Sequence, residues 1–312
     1  MHSTKTAVAS SPALPAVSGP RRRRGAALAP LLWIGPALLL IFGVVVWPAI
    51  EMVLTSLRVI SSSGLTRGWA GLANYRTLLD DPDLVPVLLR TVIWVVCVVT
   101  ATVVISLGLA QLLNARFPGR RLVRWALIVP WAASVVMTAI VWRWMLDFFY
   151  GVTNRIAMDL GLIAEPRDWL GEPGVAFGWL MGVAVFVSLP FTTYVILAGL
   201  QTVPNEVYEA ATVDGASNWR TYRSIVLPLL KPALLVATVI NVINVFNSFP
   251  IIWAMTEGGP GHATDTTTTF MYKLAFLDQE VGRSAAMAVV NFLLIIVMVL
   301  CYLRAVRWKE MD

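Results

Sequence analysis

The chain has 312 residues, 58% of them hydrophobic and only 13% charged, with a formal net charge of +6. A soluble domain of this length could not hide so much apolar surface, so the bilayer is the expected solvent. The positive excess suggests nucleic acid as a partner only until its placement along the chain is followed.

Residues 1–20 are rich in Ala, Ser, Pro and Thr without an apolar period, and with Arg21, Arg22, Arg23 and Arg24 they read as a disordered basic arm over 1–24. A helix needs about 20 apolar residues to cross the ~30 Å of hydrocarbon. Six charge-free runs are candidates: 28–50, 91–113, 125–142, 174–200, 233–255 and 284–303. The first is too long for a signal-peptide core and no small-x-small cleavage site closes it, so it reads as a first transmembrane helix. The third is the shortest, and Arg143 at its end can snorkel to the interface, as Arg90 can before the second.

Between the first two runs, 51–86 reads as an outer loop with Gly71-Leu72-Ala73-Asn74-Tyr75 and an Asp80-Asp81-Pro82-Asp83 turn. A short basic loop from Asn114 to Arg124 follows the second run. Beyond Asp147 a second outer segment holds Gly151, Asn154, Pro166, Trp169 and Pro173. The fourth run contains Pro190, which a membrane helix tolerates where neighbours or hydroxyls satisfy the freed carbonyl. After the fifth run, Thr256-Glu257-Gly258-Gly259-Pro260-Gly261 opens a Thr-rich outer loop.

With the N-terminus inside, Arg116, Arg120, Arg121, Arg124, Arg220, Arg223, Lys231, Arg304, Arg307 and Lys309 all fall on the inner side. Most acids, from Asp80, Asp81 and Asp83 to Glu257 and Asp265, fall on the outer side. That is the positive-inside pattern. The basic balance therefore reports topology, and membrane lipid rather than nucleic acid is the expected surrounding. The fold class is an all-α membrane protein with six transmembrane helices, both termini cytoplasmic, in one domain over 25–312. Cys97 and Cys301 would sit at depths differing by roughly 10 Å on a 1.5 Å rise, too far apart for a disulfide.

One inner segment, 203–232, is too long and too polar for a plain turn. Pro204 suits the first turn of a helix, and Glu206 and Glu209 follow near its positive dipole end. Val203, Val207, Ala210 and Ala211 share one side. Asp214-Gly215 supplies a stop, Gly being free to take the left-handed conformation. Ser217 can cap a second short helix with Trp219, Tyr222 and Ile225 on one side, and Pro228 and Pro232 lead into the fifth run. Pattern alone leaves two readings: a connector lying against the membrane, or a docking element.

The spacing Glu209-Ala210-Ala211, three residues, Gly215, nine residues, Ile225-x-Leu227-Pro228 resembles the loop shared by permease subunits of binding-protein-dependent ABC importers. Gly71-Leu72-x-Asn74-Tyr75, Pro130, Gly151 with Asn154, Trp169-Leu170 and Gly258-Gly259-Pro260 resemble the carbohydrate branch, the first permease of maltose- and glycerol-3-phosphate-type systems. The resemblance spans roughly 28–305. It implies the ABC-importer permease fold, with cytoplasmic coupling helices that sit in a groove on an ATPase. Glu206, Glu209, Ala210, Ala211, Asp214, Gly215, Ile225, Leu227 and Pro228 would make that coupling. The implied partners are a second homologous permease, two ATPase subunits and an extracytoplasmic solute-binding protein, in a bacterial cytoplasmic (inner) membrane.

The chain itself shows no P-loop, so ATP and Mg belong to the partner ATPase and no cofactor is expected here. His2 and His262 have no metal-ligand spacing, and no nucleophile elbow appears. Catalysis is not expected of this chain. A solute path needs polar groups inside the helices, and Asn241, Asn244 and Asn247 form a stripe on the fifth run, extended by Ser248 and Trp253. Amides both donate and accept to sugar hydroxyls, and an indole face stacks on a pyranose. The competing role for each Asn is an interhelical hydrogen bond. Thr192, Thr193 and Tyr194 beside Pro190, and Asn291 in the sixth run, are weaker candidates. The function expected is half of an ATP-driven import pore for a sugar, oligosaccharide or polyol. Glycerol 3-phosphate or a glycerophosphodiester is the alternative cargo, and an ATP-independent secondary transporter the alternative class.

Overall fold

The computed structural model describes residues 29–61 and 64–308; the basic arm at 1–24 lies outside them. By contacts the chain divides after Glu51. The first unit is helical: α1 (Ala29–Ile41), a π-helical turn (Phe42–Val46) and the beginning of α2 (Trp47–Ser56). Its apolar side chains, among them Trp33, Leu39 and Val44, are exposed within the chain, as a lipid-facing span requires.

The second unit holds the rest of the helices. After α2 come an antiparallel hairpin of β1 (Arg58–Ile60) and β2 (Thr66–Trp69), then α3 (Ala73–Leu79), α4 (Leu84–Asn114), α5 (Arg120–Ala132), α6 (Val135–Met145) and α7 (Val152–Asp159). The long α8 (Pro173–Gln201) leads to the short α9 (Asn205–Val213), α10 (Asn218–Thr221) and α11 (Leu227–Leu229), the last two joined by a π-helical turn at Tyr222–Val226. The chain closes with α12 (Lys231–Phe246), α13 (Phe249–Thr256), α14 (Thr267–Phe276) and α15 (Val281–Trp308).

Five helical stretches among the described residues are long and apolar enough to cross a bilayer: Trp33–Ser56, Leu84–Asn114, Pro173–Gln201, Lys231–Thr256 and Val281–Val306. The expected third run, 125–142, is not one helix. It is split between α5 and α6 by two extended residues, Ala133 (φ −77°, ψ 150°) and Ser134 (φ −62°, ψ 138°). Pro130 stands in the last turn of α5 and has no N–H for the turn before it, which weakens the ladder where the chain leaves it. The fifth run breaks more gently at Asn247 and Ser248, with Pro250 restarting the helix.

The core is built around α4 and α8. Trp94, Val98, Leu180, Val183, Val245 and Ile252 are all buried in one cluster, and the Trp94 indole donates to the Val245 carbonyl at 3.0 Å next to the helix break. A second cluster joins Leu113, Ile196, Leu200, Val226 and Leu230, and so seats the polar loop on the ends of α4 and α8. There α8 and α12 approach so closely that a Cβ on Gly199 would collide with the Ala233 side chain; small residues permit such contacts between membrane helices. A third cluster packs Leu78, Leu84, Phe270, Leu274 and Met287.

Pro190 frees the Phe186 carbonyl four residues back, and the hydroxyls near it bond elsewhere among the described residues. Thr192 donates to the Ser188 carbonyl at 3.0 Å, and Thr193 to Ser106 Oγ at 3.1 Å across to α4. Both threonines are fully buried. Cys97 and Cys301 are free.

Candidate functional site

The polar loop folds as a capped helix followed by a bent one. Pro204 takes the N-cap position, one residue ahead of the first-turn place expected for it, and Glu206 lies in the first turn of α9. The helix closes with two paired bonds, Gly215 N–H to Thr212 O at 3.0 Å and Ala216 N–H to Ala211 O at 2.9 Å. This is a Schellman closure, and it needs the left-handed φ of +73° at Gly215. Ser217 Oγ then accepts from the Arg220 N–H at 3.4 Å and starts α10.

Packing divides the loop into two faces. Ala211 is buried and Val203 and Val207 are half-buried, whereas Glu206, Glu209, Ala210, Asp214 and Gly215 are exposed. Val213 is 87% exposed and Trp219 68%, an unusual outlay of apolar surface on a polar loop. In the second piece the π turn rotates the side chains. Val226 and Thr221 are buried, Tyr222, Ile225 and Leu227 are half-buried and Pro228 is exposed, so the expected Trp219–Tyr222–Ile225 side does not face inward as a unit. Burial pushes the Tyr208 and Tyr222 phenols above their ordinary range, Tyr222 further through its neighbour Tyr208. Between the two pieces lies a cleft of about 240 Å³ whose walls include Ala211, Asp214, Arg220 and Ile225.

A separate chamber of about 400 Å³ opens between α5, α6, α8 and the break from α12 to α13. It gathers Asn241, Asn244, Asn247 and Ser248, four of the expected path residues, with Trp131, Thr138, Ser188 and Phe191. No charged residue among the described residues lines it. Asn241 is only 2% exposed, and its amide nitrogen has no partner among the described residues. Asn247 Nδ2 is returned to Ile243 O at 2.9 Å, and Ser248 Oγ to Asn244 O at 3.3 Å. The helix break gives the stripe a corner, so that residues from both sides of it reach one cavity.

The remaining path candidates lie elsewhere. Trp253 stacks on Phe249 at 5.5 Å and meets Tyr272 at 4.6 Å, in an aromatic group between α13 and α14. Thr192 is held within α8, as described. Tyr194 donates to the Arg124 carbonyl at 3.2 Å, and Asn291 reaches the Thr267 carbonyl at 3.4 Å. Trp131, Ser188 and Phe191 were missed by sequence reasoning. Being aromatic or small on apolar helices, they carry no polar period of their own; only Pro130 beside Trp131 marked a break nearby.

The loops around α7 and α14 use their polar residues internally. Asn154, 3% exposed, accepts from the Trp169 indole at 2.7 Å and from Arg167 N–H at 3.1 Å, and donates to Phe148 O at 3.1 Å. Asn74 donates to Ser56 O at 2.8 Å and Arg58 O at 3.0 Å, where a Cβ on Gly282 would crowd its amide. Arg167 and Glu172 form an exposed pair that raises the guanidinium and lowers the carboxyl from their usual ranges. Asp265 is fully buried, with one oxygen shared by Lys273 at 2.7 Å and His262 at 2.6 Å. Its other oxygen, wedged at Gly258, has no partner among the described residues.

The family model described as "Binding-protein-dependent transport system inner membrane component" matches residues 102–310. The chain is 39% identical to a probable ABC transporter permease protein of Brucella suis, over 88% of this chain and 95% of that one. It is 35% identical to the sulfoquinovosyl glycerol transport system permease of Agrobacterium fabrum, over 92% of each. With the trehalose/maltose transport system permease of Thermococcus litoralis it shares 34% over 78% of this chain and 81% of that one. A solved bacterial ABC transporter involved in import of the acidic polysaccharide alginate superposes with a TM-score of 0.79 at 20% identity, covering 91% of this chain and 98% of that one, a likeness of fold.

Proposed function

Because this chain belongs to the inner-membrane permease components of binding-protein-dependent ABC importers, multi-pass proteins of the cytoplasmic membrane, we propose that it forms half of an ATP-driven pore for a sugar, an oligosaccharide or a polyol. A second, homologous permease closes the pore. Two ATPase subunits, which hold the ATP and Mg, grip the loop from α9 to α11, and an extracytoplasmic binding protein delivers the cargo. Both termini lie in the cytoplasm, and the α5–α6 pair serves as the span that completes six.

One observation carries the coupling: α9 is anchored through Ala211 and a Schellman closure while Glu209, Ala210, Val213 and Asp214 stay exposed. A connector would bury or disperse that apolar and acidic surface. Closure of the ATPases on ATP would pull the loop and, through Val226, Leu230 and the ends of α4 and α8, tilt the core helices. The chamber's uncharged lining and the unmet Asn241 amide suit a neutral, hydroxyl-rich solute, since a buried donor without a partner is stabilised by an acceptor brought to it. On the opposite side, a cavity of about 470 Å³ whose lining includes Asp147, Asp168 and Glu257 would face the incoming binding protein.

The test is uptake by proteoliposomes holding this chain, its partner permease and the ATPases, with a panel of sugars and their cognate binding protein. Uptake should require ATP and all subunits. Accumulation by this chain alone without ATP would establish a secondary transporter and overturn the proposal.

A further inference from the structure

A further cavity, of about 290 Å³, is lined by Arg121, Arg124, Trp125 and Ile128 of α5 and Tyr194 of α8. On a 3.6-residue period, positions 121, 124, 128 and 131 fall on one strip of α5, and Trp131 of that strip lines the chamber. Phe191 and Tyr194 do the same on α8. The cavity thus follows the chamber along the same two helices, toward the basic end of α5.

Its chemistry is that of an anion site. Among the described residues the side chains of Arg121 and Arg124 have no hydrogen-bond or ion-pair partner; Arg121 is exposed, and the Nε of Arg124 is buried without a partner. A guanidinium is always charged and presents a planar fork that suits phosphate, sulfonate or carboxylate oxygens. Leaving such a donor buried and unpaired is costly. The segment 114–124 contains no acid that could serve. Tyr194 donates its hydroxyl to the Arg124 carbonyl and so holds one wall of the cavity in place.

We propose that this cavity binds a phosphate-type oxyanion through Arg121 and Arg124. Two sources share that chemistry, the headgroup of an anionic phospholipid and a soluble oxyanion leaving the chamber. The surroundings favour the lipid. Leu122, Trp125 and Val129 are 74%, 65% and 64% exposed beside the cavity, an apolar strip along which acyl chains can lie while the phosphate meets the arginines. Basic pockets between helices at the cytoplasmic surface recognise lipid headgroups in this way. The site does not require that the chain carry a sugar, so its test reads binding and not uptake.

The full chain is placed in phosphatidylcholine nanodiscs, and its arginines are modified with phenylglyoxal and quantified by peptide mass spectrometry. The same is done with phosphatidylglycerol in the disc, and with inorganic phosphate added to the phosphatidylcholine disc. Phosphatidylglycerol should slow modification of Arg121 and Arg124 by about fivefold, the protection expected at a few times the dissociation constant, while exposed Arg116 changes little. Protection by inorganic phosphate in the phosphatidylcholine disc would instead identify the soluble source of the same oxyanion. The double variant Arg121→Gln/Arg124→Gln should lose phosphatidylglycerol from the lipid that co-purifies with the protein. Reactivity of Arg121 and Arg124 that stays the same in all three preparations would overturn the site. So would protection that appears only when the ATPase subunits are bound, which would make these arginines a protein contact.

Discussion

Asn154 and Glu209 both lie on short helices outside the long apolar runs, yet the fold treats them in opposite ways. Asn154 is 3% exposed and both ends of its amide are engaged, to Trp169, Arg167 and Phe148. Asp265, in the loop before α14, is buried with one oxygen between Lys273 and His262. Glu209 stands in solvent beside Ala210 and Asp214, with no ion pair among the described residues. A loop that satisfies its own polar groups is scaffold. One that is firmly capped yet leaves its acidic and apolar groups outward fits the proposed docking on a partner.

That contrast can be broken most sharply at the buried ion pair. Lys273→Met removes the cation from a fully buried Asp265 and should destabilise the protein by about 3–5 kcal/mol. Thermal unfolding in nanodiscs measures this, and a loss below about 1 kcal/mol would mean that His262 alone suffices. Next comes Asn154→Leu. It strands the Trp169 indole and the Phe148 carbonyl, at about 1–3 kcal/mol for a group left buried and unmet; equal stability would show that water replaces the amide.

Smaller stability effects are expected in the coupling loop, with larger functional ones. Gly215→Asp forces a side chain into a left-handed conformation at about 1–2 kcal/mol, and should leave protein in the membrane with ATP hydrolysis uncoupled from uptake. Glu209→Lys lies on the exposed face and should change stability by no more than about 0.5 kcal/mol while abolishing ATP-driven uptake. Normal uptake by both variants would return the loop to the role of a connector.

Much of this architecture is legible in local sequence. Three of the six apolar runs fall within helices of spanning length that hold together, the first overlaps another such helix, and a fifth holds apart from one break, because a run of some twenty apolar residues is a local property. The loop's stop and cap were readable for the same reason: Gly215 and Ser217 act within four residues of themselves. The split of the third run was not. Both halves are apolar, and hydropathy does not register the extended pair at Ala133 and Ser134. Trp253 illustrates the opposite error. Its spacing extends the Asn stripe, but the restart of the helix at Phe249 turns it toward Tyr272.

The sequence by itself determined that this protein lives in a bilayer, where its polar loop begins and ends, and which family it belongs to. Those features rest on short-range periodicity, on caps and on spacing. Only the tertiary structure decided which polar side chains share a cavity. Asn241 meets Trp131 and Ser188 because α12 breaks and α5 bends away from α6, and Arg121 comes to face Tyr194 because α5 lies against α8. Such meetings depend on how rigid helices cross, and a crossing is fixed by packing among residues far apart in the chain.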